Sequence, residues 1–317
     1  MKDKLPIFLK TTVSLGLLIF IFTRIDISQV LSRLQYLSFP FVVFALLFYT
    51  GCQWLSCLRW QVVLKSAGYH IPINYLLSSY FAGMFVSIFL PSSVGGDVYR
   101  VYRITKSIDT PETAFASVFL ERFTGLAAVF ALALIGIPPA IKIIGSWDIV
   151  LLFLVCACVI WGGFLLIASP VLLRWSRPWL VKIRLGGLCD RLDKVQLIVI
   201  QYLKHRQSLG IAIAISFVIQ LSIIFYQYLL AQQLKIPISY LELLVFTPIS
   251  IVVTLMPISL GGLGIQEGLW VYLFTRIGLT AEQAVLLSLT FTILGWILAL
   301  PGAIILLLDS KGLKATK

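Results

Sequence analysis

Long apolar segments constrain the fold of this chain more than any other feature of its sequence. A helix needs about 20 apolar residues to cross a hydrocarbon layer of roughly 30 Å. Six segments of that kind predict membrane-spanning helices, at about residues 5–23, 40–58, 113–141, 149–172, 209–234 and 281–308. Because 60% of the residues are hydrophobic and only 12% are charged, we expect an all-α, polytopic transmembrane helical bundle. Residues 1–317 then form a single integral membrane domain without a separate soluble catalytic domain.

Two further apolar stretches, near residues 71–90 and 241–260, are interrupted by a proline and a glycine pair. The first continues as Pro91-Ser92-Ser93-Val94-Gly95-Gly96 and the second as Pro257-Ile258-Ser259-Leu260-Gly261-Gly262. Proline removes a backbone donor, so both prolines are predicted hinges, and broken backbone within a membrane is tolerated only where protein or water surrounds it. The shared pattern therefore predicts an inverted repeat of two opposed re-entrant helical hairpins, near residues 71–105 and 241–278.

The basic residues predict how the chain is oriented in the membrane. They occupy short gaps between apolar segments, which is a topology signal and not the footprint of a nucleic-acid-binding protein. With two re-entrant hairpins, 19 basic residues lie on the side of the N-terminus and 5 on the other side, whereas full crossings give at best 16 and 8. The positive-inside rule thus favours the hairpins, with both termini cytoplasmic in the inner membrane of the cell. A basic cytoplasmic connector at residues 173–208 then separates a first half (1–172) from a second half (209–317).

The first hairpin carries charged residues directly after its glycine pair. A helix that begins at this point places Gly96, Arg100 and Arg103 on one side, next to Gly95 and Asp97. Glycine amides at a helix start, with two guanidinium groups a turn away, form a predicted cradle for phosphate. The alternative is that the glycines only permit close packing and that both arginines are ordinary positive-inside anchors.

Glu121 and Arg122 lie within a predicted span, about 15 Å from its start and thus near the middle of the membrane. A buried charge at that depth is costly unless it is paired. Ser117, Glu121 and Gly125 share one helix face, so that small residues flank the carboxylate. We expect both charged residues to belong to a substrate site, with a structural ion pair to Asp97 or to an arginine of the first hairpin as the alternative.

The second hairpin repeats this arrangement with a carboxylate. Ser259, Gly261, Gly262 and Gly264 precede Glu267, which is predicted to cap a half-helix, bind a cationic headgroup or exchange protons. Arg59 and Trp60, at the end of the second span, are interpreted as interfacial anchors.

The sequence indicates neither a catalytic motif nor a metal site. Four of the five cysteines lie in apolar segments without a histidine or cysteine at ligand spacing, and no nucleotide-binding or hydrolase motif occurs. We therefore expect no cofactor, no metal and no catalytic residue.

In combination, these motifs resemble the lysylphosphatidylglycerol synthase transmembrane-region family, a flippase-like membrane domain. The resemblance covers nearly the whole chain and rests on four groups of residues: Arg59-Trp60, Leu90 to Asp97 with Arg100, Glu121-Arg122 with Gly125, and Pro257 to Gly264 with Glu267. It implies a domain that moves an aminoacylated phospholipid between leaflets while a separate cytoplasmic domain makes that lipid. Because this chain continues only a few residues beyond its last span, we expect it to lack lysyltransferase activity.

The function that we expect is lipid translocation. The candidate substrates are an anionic or aminoacylated phospholipid and a polyprenyl-phosphate-linked lipid, and the sequence does not choose among them. The partners are then membrane lipids with anionic headgroups, together with a possible lipid-synthesis enzyme. Two alternatives stay open: an intramembrane lipid-modifying transferase with Asp97, Glu121 or Glu267 as base, and a non-transporting accessory subunit of a lipid-synthesis complex.

Overall fold

The computed structural model describes residue 23 and residues 27–89, 94–108, 110–144, 147–172, 174–175, 186–254 and 264–315. Within these ranges the regular structure is helical, as the sequence predicts. The principal helices are α1 (Ile27–Leu34), α2 (Phe39–Ser66), α3 (Ile73–Phe89), α4 (Val94–Ile104), α5 (Pro111–Ile144), α6 (Asp148–Ala168), α7 (Gly186–Lys204), α8 (Arg206–Gln233), α9 (Tyr240–Thr254), α10 (Ile265–Arg276), α11 (Ala281–Ala299) and α12 (Pro301–Ala315). The predicted first span, Pro91, Pro257, Ser259, Gly261 and Gly262 lie outside the described residues.

Long apolar helices confirm that the protein is a polytopic membrane protein. Among the described residues, four helical segments are long and apolar enough to cross a membrane: Phe39–Ser66, Pro111–Pro139, Arg206–Gln233 and Ala281–Asp309. They correspond to four of the six predicted spans. The span predicted at 149–172 is the helix α6, whose apolar part is the shorter segment Val150–Leu165.

The main apolar core joins the second half of the chain to α2. Large side chains from α8, α9, α10 and α11 are almost fully buried there, among them Tyr226, Phe246, Trp270 and Leu287. Outward-facing residues of α8 and α11 are apolar as well, among them Val218, Phe225 and Ile293, as expected for helices that contact lipid. The long helices α2 and α8 pack along each other, and α5 packs against both.

Helices α3 and α4 form the predicted first hairpin. Tyr75 Oη, near the start of α3, donates to the carbonyl oxygen of Arg103, near the end of α4, over 2.7 Å. Closer to the tip, Gly83 and Gly96 pack backbone to backbone, and a Cβ atom added to Gly83 would lie 2.9 Å from the carbonyl oxygen of Gly96. The two arms are therefore antiparallel, and the glycines are needed because a side chain would separate them.

Helices α9 and α10 form the second hairpin. The rings of Phe246, near the middle of α9, and Phe274, near the end of α10, are 6.3 Å apart, so the two helices pack against each other. The residues that flank this hairpin, Ile236 and Leu279, pack into the same cluster as Leu37. Gly264 begins α10 with φ of 84°, a left-handed conformation that favours glycine.

The two hairpins open toward opposite ends of the molecule. The open end of the first hairpin lies with the basic segments, since Arg103 pairs with Asp309 at 3.2 Å and Lys194 approaches Glu112 at 3.6 Å. The open end of the second lies with Tyr36, whose carbonyl oxygen accepts from Gln233 Nε2 at 2.6 Å. This is the opposed arrangement that the sequence predicts.

Candidate functional site

Glu121 is the centre of a buried ionic network. It lies on α5, ten residues after Pro111, and is 1% exposed. Its Oε1 accepts from Tyr80 Oη at 2.7 Å and forms an ion pair with Arg59, while its Oε2 accepts from Arg100 Nη2 at 3.0 Å. The carboxylate is therefore compensated by donors from α2, α3 and α4, as a charge at this depth requires.

Arg59 and Trp60 fill the small-residue face of α5. Trp60 Nε1 donates to Ser117 Oγ at 3.2 Å, and Arg59 Nη1 donates to Ser216 Oγ of α8 at 2.9 Å. Arg59 also lies against Gly125, where an added Cβ atom would be 2.8 Å from its Nη1. The interfacial interpretation of Arg59 and Trp60 is therefore wrong: both side chains are buried within the protein because Glu121 and Ser117 bind them.

Arg100 and Arg103 are also bound to the protein. The guanidinium group of Arg100 lies 3.8 Å from the ring centre of Tyr80 and 4.3 Å from that of Trp60. Arg103 lies over Tyr75 and pairs with Asp309.

These contacts correct the expectation of a glycine and arginine cradle for phosphate. Arg100 and Arg103 are 3% and 8% exposed, so neither presents a cation to a cavity. Gly96 is buried against Gly83, in agreement with the packing alternative.

Asp97 connects the buried network to a second arginine. Its Oδ1 accepts from Arg100 Nη1 at 3.1 Å, and its Oδ2 forms an ion pair with Arg122. Glu121 is thus paired with Arg100, and Arg122 with Asp97. Both partners belong to the first hairpin, as expected if these residues form a structural ion pair. Among the described ion pairs of this network, three arginines (Arg59, Arg100, Arg122) pair with two carboxylates (Asp97, Glu121).

Arg122 lines an apolar groove between α4, α5 and α6. The groove has a volume of about 550 Å³, and its walls include Val98, Phe119, Phe123 and Phe164. Asp97 and Arg122 are the charged residues of its described lining, and the Arg122 side chain is 41% exposed. An apolar groove with one ion pair in its wall has the chemistry of a site for an amphiphile.

Glu267 occupies a separate place in the second hairpin. Its Oε2 accepts from the Gly264 N–H at 2.7 Å, and its Oε1 accepts from Ser288 Oγ at 3.1 Å. The carboxylate therefore caps α10, one of the three roles that the sequence allows. Among the hydrogen bonds and ion pairs of the described residues, none joins Glu267 to the Glu121 network.

Sequence reasoning missed Tyr80 and Ser216 as members of the network. Tyr80 lies in the predicted first hairpin, so its contact with the charged residues of that hairpin could have been predicted. The contact of Ser216 could not have been predicted, because a serine in an apolar span is common and its partner, Arg59, is 157 residues away. The described residues contain no group of three or more His, Cys, Asp or Glu that could hold a metal ion.

Comparison with known proteins places the chain among membrane proteins. The family model described as the lysylphosphatidylglycerol synthase TM region matches residues 7–302. A UPF0104 membrane protein from Pyrococcus horikoshii is 24% identical over 297 residues, which cover 86% of this chain and 88% of the relative. No solved structure is a significant match to the chain.

Proposed function

Since the chain belongs to the lysylphosphatidylglycerol synthase transmembrane-region family, we propose that it is a lipid translocase. It moves an anionic or aminoacylated phospholipid, or a polyprenyl-phosphate-linked lipid, between membrane leaflets. It acts without covalent chemistry, in the inner membrane of the cell, with the basic end of the bundle in the cytoplasm.

The ionic network around Glu121 is the observation that carries this proposal. Five charged groups lie together, and two of them, Glu121 and Arg122, lie ten and eleven residues after the start of the long apolar helix α5. A charge within the hydrocarbon layer costs several kcal/mol unless it is paired. A well-packed apolar cluster would stabilise the bundle at lower cost, so ionisable residues at this depth favour a role in transport.

The position of the network supports a role in movement of the first hairpin. Arg100 and Asp97 lie on α4, whereas Glu121 and Arg122 lie on α5 and Arg59 on α2. The hairpin is thus held to the bundle by directional ionic contacts. An ionic contact is either formed or broken. Alternating access needs two such discrete states.

A leaflet-exchange assay in reconstituted vesicles tests the proposal. Fluorescent phospholipid added to one leaflet should reach the other at a rate that depends on the protein, and Glu121→Gln should lower that rate at least about tenfold, which corresponds to about 1.4 kcal/mol. Lys194→Gln is the matched control, because it breaks an exposed ion pair at the basic end. Equal rates for native protein, Glu121→Gln and protein-free vesicles would contradict translocation.

The same vesicles separate the proposal from its alternatives. Mass spectrometry of the recovered lipid should show no change in covalent structure; a modified lipid would instead assign the protein to the transferases. Activity that depends on surface changes in the basic connector at residues 173–208, and not on Glu121, would instead assign the protein to accessory subunits.

A further inference from the structure

A polar cavity lies at the basic end of the bundle, where the connector helix α7 meets α2 and α5. It has a volume of about 150 Å³, and its lining includes Ser66, Tyr69, Thr113, Gln201 and Tyr202. A single water needs only roughly 10–15 Å³ of such space, so the cavity has room for a group of several non-hydrogen atoms.

The Tyr202 side chain borders this cavity and a second, smaller one. It is 5% exposed, and the smaller cavity, of about 10 Å³, is lined by Thr124 and Ser208 as well. The buried Tyr202 Oη has no hydrogen-bond partner among the described residues. Because a buried hydroxyl without a partner is costly, this position calls for a group beside Tyr202 that can bond to it.

The described lining of the larger cavity offers hydrogen bonds and no charged side chain. Ser66 Oγ donates to the carbonyl oxygen of Val63 at 2.7 Å and keeps its capacity to accept. The Gln201 amide and the Tyr202 hydroxyl can each donate and accept. An ionised group would lose hydration here without gaining a counter-charge, whereas the hydroxyls of a small neutral polyol match this lining.

Exposed lysines adjoin the two cavities along the chain. Lys65 directly precedes Ser66 of the larger cavity. Lys204 directly follows Leu203, which lines the smaller one. Lysines at a membrane surface attract anionic lipids. A phospholipid can therefore place a neutral polyol in the cavity while its phosphate stays outside, near these ammonium groups.

We propose that this cavity binds the polyol headgroup of an anionic phospholipid, with the Tyr202 hydroxyl and the Gln201 amide as partners of the polyol hydroxyls. The inference rests on the proposed function, because it names the headgroup class that the translocase receives at its basic end. It also separates the candidate substrates. A glycerol-sized polyol fits, whereas the ammonium of an aminoacylated headgroup meets no carboxylate in the described lining.

The site connects the basic connector to the helix that carries the ionic network. Tyr202 lies on α7, whereas Ser66 lies on α2 and Thr124 on α5. Thr124 Oγ1, beside the smaller cavity, donates to the carbonyl oxygen of Glu121 at 2.9 Å. A headgroup bound at Tyr202 is thus held next to the segment of α5 that contains Glu121.

Native mass spectrometry of the detergent-solubilised protein measures the predicted preference. The protein is incubated with phosphatidylglycerol and phosphatidylmethanol of the same acyl chains, two lipids of equal charge that differ in the hydroxyls of the headgroup. Bound phosphatidylglycerol should exceed bound phosphatidylmethanol about fivefold, which corresponds to about 1 kcal/mol. Phosphatidylethanolamine, whose headgroup ends in an ammonium, should bind no better than phosphatidylmethanol.

Tyr202→Phe tests the hydroxyl without disturbing the packing of the ring. The ring stays in its apolar cluster with Val63 and Val199, and the hydroxyl that is removed bonds to no described residue. The midpoint of thermal unfolding should therefore not fall. The ratio of bound phosphatidylglycerol to phosphatidylmethanol should fall about threefold, as expected for one hydrogen bond between neutral groups.

Tyr226→Phe is the matched control. Tyr226 is 1% exposed, and its hydroxyl likewise lacks a partner within the described part of the chain. It lies eighteen residues beyond Ser208 along α8, which is roughly 27 Å. The same chemical change at this position should leave the lipid ratio unchanged.

Two exposed glutamines at the basic end provide a second matched pair. Gln201 lines the larger cavity, whereas Gln207 lies at the start of α8 and is not part of that lining. Leucine is similar to glutamine in size but forms no hydrogen bond. Gln201→Leu should lower the lipid ratio, whereas Gln207→Leu should leave it at the native value.

The outcomes separate the inference from the function on which it rests. A native ratio near one, or a native ratio that persists in Tyr202→Phe, overturns the headgroup site even when the protein exchanges lipid between leaflets. Free glycerol at the concentration of the lipid should displace no phosphatidylglycerol; if it does, the cavity takes a free polyol and the lipid assignment fails. If the predicted ratios are found but the native protein exchanges no lipid, the site stands and translocation fails.

Discussion

Glu121 binds three donors that belong to three different helices. Tyr80, Arg59 and Arg100 approach it from α3, α2 and α4, so this one carboxylate holds the first hairpin to the bundle. Its removal leaves two arginines without their main counter-charge inside the protein.

We expect Glu121→Gln to lower the free energy of unfolding by about 3 kcal/mol or more, because breaking a buried ion pair leaves uncompensated charge. Unfolding in detergent by a graded denaturant measures this change. Lys194→Gln is the control; it breaks a pair whose lysine side chain is 68% exposed and should cost less than about 1 kcal/mol. Similar losses for the two variants would contradict the network.

Gly125 has a specific role beside Arg59. Alanine usually stabilises a helix relative to glycine by about 1 kcal/mol, but a Cβ at position 125 would lie 2.8 Å from Arg59 Nη1. Since that guanidinium is fixed by Glu121 and Ser216, we expect Gly125→Ala to destabilise the protein by about 1–3 kcal/mol.

The control for Gly125 is Gly51→Ala. No atom lies within 4 Å of an added Cβ at Gly51, so alanine there should be neutral or stabilising in the same unfolding experiment. A stabilising Gly125→Ala would show that Arg59 can leave its position at little cost.

Residue roles could be predicted from the sequence only where a charge interrupts an apolar segment. Glu121 and Arg122 were identified as important for that reason. Arg59 and Trp60 were misread as interfacial because they lie near one end of a helix that is apolar on all sides. Periodicity could not show which side of such a helix faces protein, and therefore could not find their partners.

The first hairpin depends on close contact between α3 and α4. A Cβ added to Gly96 would overlap the backbone of Gly83, which a rotamer change cannot relieve. We therefore expect Gly96→Ala to destabilise the protein by about 1–3 kcal/mol and to slow lipid exchange, because Arg100 and Asp97 lie on the displaced arm.

Gly210→Ala is the control for Gly96→Ala. Gly210 lies near the start of α8 with open space around an added Cβ. Thermal unfolding and leaflet exchange should both stay near native values for this variant. If Gly96→Ala matches it in both measurements, the arms of the hairpin do not require glycine at their contact.

The type and order of most helices can be predicted from the sequence. Four long spans follow from apolar length alone, and the first hairpin follows from the proline and glycine interruption between two short helices. Contacts between elements were harder to predict: the ion pair between Arg103 and Asp309 joins residues 206 positions apart, and no local pattern indicates it. The first glycine pair indicates a phosphate cradle, whereas in the structure Gly96 allows close packing against Gly83.

The whole molecule has one end at which the described basic segments gather. Residues near Ser107 and His205 lie at that end, whereas Lys235 and Arg276 lie at the other. Cysteine substitutions at these four positions should react with a membrane-impermeant maleimide from opposite sides, with positions 107 and 205 cytoplasmic.

The native protein gives the background for this labelling experiment. Of its cysteines with described side chains, Cys52, Cys57 and Cys156 are buried and Cys158 is exposed on α6. Labelling of all four introduced cysteines from the same side would contradict the proposed topology.

The C-terminal helix is attached to the moving part of the proposed mechanism. Gly302 packs directly against the backbone of Phe81 on α3, and Asp309 bonds Tyr99 Oη at 2.7 Å and Arg103 Nε at 3.2 Å on α4. Both arms of the first hairpin are thereby joined to α12 by packing and polar contacts. A fluorophore placed on α12 after Asp309, beyond the apolar span Ala281–Asp309, would consequently report hairpin displacement in real time, without any probe inside the membrane.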